Sequence, residues 1–128
     1  MAPAQDTPPA FDVYDCVPNY EQWCAFKKKL FAHGGRADDH GWSLTDCIRG
    51  LDAGGNAAGA PMLPVLGAGG GTLDERAEHR LRRKRLSESH THIVRHLSNR
   101  LVIDTLSEAP LLGDGRAAFV WLEARCCV

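Results

Sequence analysis

An all-α fold, a small bundle of four to five helices with one long central helix and a Gly/Ala-rich flexible insertion, is what this sequence predicts. Three observations predict it. Apolar residues recur at helical spacing in several stretches, capping residues stand at the heads of those stretches, and no stretch sustains the alternation of a half-buried strand. A length of 128 residues allows one domain at most. With 13 Gly, 7 Pro and 44% apolar residues, part of the chain is expected to stay outside any core.

Residues 1–10 are Pro-rich and poor in apolar side chains, which predicts a disordered lead. The N-terminal helices are expected within residues 11–51. Asn19 is a good N-cap, Trp23, Phe26, Leu30 and Phe31 form one stripe, and Gly34 with Gly35 stops the helix. Lys27, Lys28 and Lys29 fall in it as a solvated face toward its C-terminal end. A shorter helix is predicted from Ser43 to about Arg49, with Ser43 as cap, Trp42, Leu44, Cys47, Ile48 and Leu51 as its apolar set, and Gly50 as its end.

Residues 52–71 hold 7 Gly, 5 Ala and 2 Pro in 20 positions, the composition of a flexible linker. Residues 72–128 are predicted to carry a long basic helix and a C-terminal helix that pack with 11–51 as one domain. Thr72 and Glu75 have capping-box spacing, and neither Gly nor Pro occurs from Leu73 to Leu106. Ile93, Val94, Leu97, Leu101 and Leu106 mark the expected buried stripe, and a break is expected near Ser87 to Ser89. The charged part before it, anchored by Leu81 and Leu86, reads as a projecting arm. After Pro110 and Gly113, Asp114 caps a final helix anchored by Phe119, Val120, Trp121 and Leu122.

The formal charge of -1 conceals a segregation. Residues 1–75 hold 5 basic and 10 acidic side chains, residues 76–100 hold 8 and 2, and residues 101–128 hold 2 and 4. A local field follows such clustering rather than the total. Arg80, Arg82, Arg83, Lys84 and Arg85 are the candidate nucleic-acid-binding residues: five positive charges within six positions can neutralise phosphates without reading bases. A nuclear localisation signal and a plain solvated helix face are the other readings of the run. No aromatic residue lies between Arg76 and Arg100, so contact would be with backbone rather than stacked bases.

Other chemistry is sparse. His92 and His96 share a helix face near His90, yet only Glu88 is a close acid and no Cys lies between Cys47 and Cys126, so no metal site is expected. Gly67, Gly69, Gly70 and Gly71 precede a helix without a following Gly-Lys-Ser/Thr, which leaves no phosphate-binding loop. No Gly-x-Ser-x-Gly occurs. No enzyme activity, cofactor or small-molecule substrate is therefore expected. Five cysteines, Cys16, Cys24, Cys47, Cys126 and Cys127, are an odd number without a CxxC pair, unlike a secreted disulfide scaffold. The N-terminus lacks a signal-peptide pattern, and the longest apolar run, Ala117 to Leu122, is far short of a bilayer span. No membrane contact is expected, and a cytoplasmic or nuclear location is.

Trp23, Trp42 and Trp121 read as core or inter-helix packing. Their order carries a family likeness. Asn19-Tyr20 with Trp23 and Leu30, Gly41-Trp42 with Ile48 and Gly50, a long helix with Ile93 and Leu97, then Ala117-x-x-x-Trp121 with Leu122 resembles the N-terminal, capsid-like gag region of copia-type LTR retrotransposons. The likeness spans roughly residues 11–125. It implies a non-enzymatic helical domain that self-associates into homo-oligomers and packages RNA, with Tyr20, Trp23, Trp42 and Trp121 as structural or self-association residues; the basic run itself is expected to add weak RNA contact. Leu122 directly follows Trp121 where the family more often places its Leu three residues on, and the family's later helices and CCHC knuckle are missing, so a fragment or degenerate copy is expected. The alternative is a small helical nucleic-acid-binding or nuclear adaptor protein that does not assemble.

Overall fold

The computed structural model describes residues 13–37, 41–51 and 71–127. The expected disordered lead and all but the last residue of the expected linker lie outside the described residues. Five helices and no strand occur among those described: α1 (Tyr20–His33), α2 (Leu44–Ile48), α3 (Leu73–Val94), α4 (Arg100–Leu106) and α5 (Gly115–Cys126). The protein is all-α.

Side-chain caps start every helix. Asn19, Ser43, Thr72, Asn99 and Asp114 each accept from the backbone N–H three residues on, and Ser43 with Asp46 and Thr72 with Glu75 complete reciprocal capping boxes. Helix ends depend more on distant residues. The carbonyl of Leu30, in the last turn of α1, accepts from His92 Nε2 at 3.0 Å. Ile48 at the end of α2 accepts from Arg116 Nη1 at 2.9 Å, and Leu106 at the end of α4 from His90 Nε2 at 2.6 Å. Basic side chains thus answer the terminal carbonyls where the helix dipole is negative.

The core gathers Trp23, Phe26 and Leu30 of α1, Ile48 of α2, Ile93 of α3, Val102 and Leu106 of α4, and Phe119 and Leu122 of α5. Trp23 is its centre, with Phe26 and Phe119 at ring distances of 5.9 and 5.4 Å. A second cluster, Trp42, Cys47 and Leu86, joins α2 to α3. α3 packs chiefly on α5 and α2. Its approach to α5 is so close that a Cβ on Gly115 would lie 1.9 Å from Ser89 Oγ and 2.7 Å from the His90 nitrogen. Only glycine fits there.

The break in the long helical region falls at residues 95–99 and not near Ser87 to Ser89. Ser89 is buried against Gly115 and its hydroxyl donates back to the Leu86 carbonyl at 2.9 Å, so the helix runs through it. A strap of residues 13–19 makes the actual break. The Tyr14 nitrogen donates to the His96 carbonyl at 2.8 Å, the Ser98 nitrogen donates to the Tyr14 carbonyl at 3.0 Å, and Asn99 Nδ2 donates to the Asp15 carbonyl at 3.1 Å while its Oδ1 caps α4. The break resets the helical phase. Leu101, expected in the buried stripe, is 78% exposed, and Val102 with Leu106 turns inward instead.

Candidate nucleic-acid interface

The basic run divides by where each side chain points. Arg85 is only 9% exposed: its Nη2 donates to the Trp42 carbonyl at 2.6 Å and its Nη1 to Glu88 at 3.0 Å. It ties α3 to the start of α2 and offers no face to a partner, which corrects its expected place among the contact residues. Arg82 is half-buried and pairs with Glu78 at 2.7 Å. Arg80, Arg83 and Lys84 are exposed.

At about 100° per residue, Arg80, Arg83 and Lys84 share an arc of roughly 100° with Arg76, Ser87 and Thr91. All six are exposed. None of the helix's four carboxylates, Asp74, Glu75, Glu78 and Glu88, falls in that arc. Three of the four are engaged elsewhere, Glu75 in the capping box, Glu78 with Arg82 and Glu88 with Arg85. Exposed Arg95 continues the stripe, so it runs about 28 Å along the helix axis. Arg76 and Arg95 lay outside the short run that drew attention in the sequence; projecting the helix at its own period would have found them.

The stripe is costly to the helix that carries it. Arg76–Arg80 and Arg80–Lys84 are like charges at i,i+4, each destabilising by about 0.2–0.5 kcal/mol. Glu78–Arg82 and the Thr72 cap offset part of that. A face needed only for solubility is served as well by mixed signs, whereas a carboxylate-free row concentrates positive potential.

The aromatic residues singled out with the gag-like motifs separate in the same way. Trp23 and Trp42 are interior, which removes them as contacts in self-association; Trp42 Nε1 donates to the Leu51 carbonyl at 2.7 Å. Trp121 is half-buried against the core with Arg125 over its ring at 6.0 Å, and Tyr20 is 55% exposed.

His90, His92 and His96 are structural. His92 and His96 meet edge to face with ring centroids 5.3 Å apart, and each donates a ring N–H to a carbonyl, His92 to Leu30 and His96 Nδ1 to His92 at 2.9 Å. Burial holds both below the usual imidazole pKa, with positive neighbours adding to it. Among the described residues no group of three or more His, Cys, Asp or Glu gathers as a metal site, and no helix is long and apolar enough to cross a membrane. No protein-family model, curated protein or solved structure matches the chain.

Proposed function

We propose that this protein is a non-enzymatic helical module that grips the sugar-phosphate backbone of RNA through the Arg76–Arg80–Arg83–Lys84 face of α3. One observation carries the reading: a row of exposed cations along a single helix face from which every carboxylate is absent or already paired. The absence of aromatic residues along the row fits contact without base stacking, hence without sequence preference.

Fluorescence anisotropy with labelled single-stranded RNA at rising salt tests it. Four neutralised phosphates give a slope of about -3 in log affinity against log salt. The variant with Arg76, Arg80, Arg83 and Lys84 all changed to Gln should lose binding, while Arg82→Gln should keep most of it. Salt-insensitive binding, or unchanged binding by the fourfold variant, would overturn the reading.

A second reading, gag-like self-association, is supported by the order of the motifs and by large apolar side chains left in solvent, among them Tyr20, Leu101 and Val120. It requires oligomers that grow with concentration by light scattering and that weaken in Tyr20→Ser. A strict monomer at high concentration, with and without RNA, excludes it and leaves the non-assembling module.

A further inference from the structure

Cysteines far apart in the chain meet where the strap crosses the end of α5. Cys126 Sγ lies 3.6 Å from the Cys16 carbonyl oxygen and donates to it across 110 positions of sequence. Both side chains lie in the same buried cluster as Tyr14, with the Cys16 thiol 3.9 Å from the Tyr14 carbonyl and the Tyr14 hydroxyl donating to the Val17 carbonyl at 2.7 Å. Both cysteines are buried, Cys16 at 1% and Cys126 at 0% exposure. Cys47 is remote from them, beside Ser89 at 3.5 Å.

We propose that Cys16 and Cys126 form a disulfide under oxidising conditions, and that this cross-link fastens the strap to α5. The oxidant is a small-molecule disulfide. The Cys16 thiolate attacks one of its sulfurs and releases the first small thiol, leaving a mixed disulfide. The Cys126 thiolate then attacks the Cys16 sulfur and releases the second. Two protein thiols are oxidised by two electrons, one protein disulfide forms, and the small disulfide is reduced to two thiols.

The fold says how the reagent gains entry. Burial pushes the docked Cys16 thiol up to about 12, with Cys126 adding to it, so the docked form holds almost no thiolate. The strap is held by a few backbone bonds and by Tyr14 stacked on Phe26 at 4.8 Å. Lifting it exposes Cys16 to the reagent, and redocking returns the mixed disulfide to Cys126. Neighbouring Cys126 and Cys127 bridge each other poorly, which favours the cross-strap partner.

Incubating the full chain with excess oxidised glutathione, alkylating the remaining thiols and digesting without reductant tests this. The expected product is a Cys16–Cys126 linked peptide pair, lighter by two hydrogens, with Cys47 alkylated. The oxidised chain should unfold at a higher temperature than the reduced chain, and reductant should erase the difference. Cys16→Ser should abolish both signals and Cys47→Ser neither. Free thiols persisting at both positions, or glutathione adducts or a Cys24–Cys127 link in place of the expected pair, would overturn the proposal. A link that leaves the unfolding temperature unchanged would overturn the fastening. Peptide mapping of the unmutated chain decides the matter even where a variant fails to fold.

Discussion

Between Leu73 and Lys84, α3 buries no residue, whereas between Arg85 and Val94 it buries Arg85, Leu86, Ser89, His90, His92 and Ile93. The backbone ladder is continuous across the two halves, but their support differs. The second half is held by α5, α2 and the carbonyls it serves on α1 and α4. The first half draws on a capping box, the Glu78–Arg82 ion pair and the anchorage of the second half, which acts as a preformed nucleus for it. A helix can carry an unneutralised row of cations only where something else fixes it, and here the fixing is done downstream.

The largest expected effect comes from breaking the packed half. Gly115→Ala should destabilise by about 3 kcal/mol in denaturant unfolding, because overpacking at a backbone contact forces the two helices apart. Helix propensity alone would predict the opposite sign, so the measurement separates the two effects. Arg85→Ala should cost about 2 kcal/mol, since it removes a buried charge-assisted bond to the Trp42 carbonyl together with a packed stem.

Acid should act on the packed half and on the junction that follows it. His92 and His96 are held below the ordinary imidazole pKa, so the unfolded chain takes up their protons first. Their contribution is complete above about pH 6.5 and is lost as pH falls toward the folded values. The thermal midpoint should therefore drop between neutral pH and pH 5, and His92→Gln should flatten that slope. A slope unchanged by the substitution would place the acid sensitivity elsewhere.

Changes in the exposed half should be smaller. Thr72→Ala should cost about 1 kcal/mol of local helix stability, read as faster amide exchange over the first turns of α3 with little change in exchange at Ile93. Smallest of all is the fourfold Gln variant of the stripe, whose global stability should stay within about 0.5 kcal/mol of the parent. Its amides near Arg80 should exchange more slowly, because like-charge repulsion has been removed.

The beginnings of helices were legible in the sequence because a cap is a local device. Asn19, Ser43, Thr72 and Asp114 each act on an N–H three residues away. Gly34, next to the α1 end, was legible for the same reason. What escaped was made by residues far apart. That Arg85 turns inward is decided by a carbonyl 43 positions earlier, and the acceptor for His92 is 62 positions away. Composition marked the basic run as charged but gave no information on which of its members face solvent; once the α3 register is known, Arg83 and Lys84 separate from Arg85. Asn99 was overlooked as a cap because no Gly or Pro announced a break before it.

The strap has a consequence for the order of events during synthesis. Where α3 stops is specified by Tyr14, made long before His96 and Ser98 leave the ribosome. Until those residues meet it, residues 73–106 contain no glycine or proline to interrupt them, and the chain can extend one helix through the future junction. The junction is thus a late event that closes a long loop, paid for in chain entropy before α4 can point its Val102 and Leu106 at the core. Until it forms, residues 73–106 can hold one helix where the folded protein holds two.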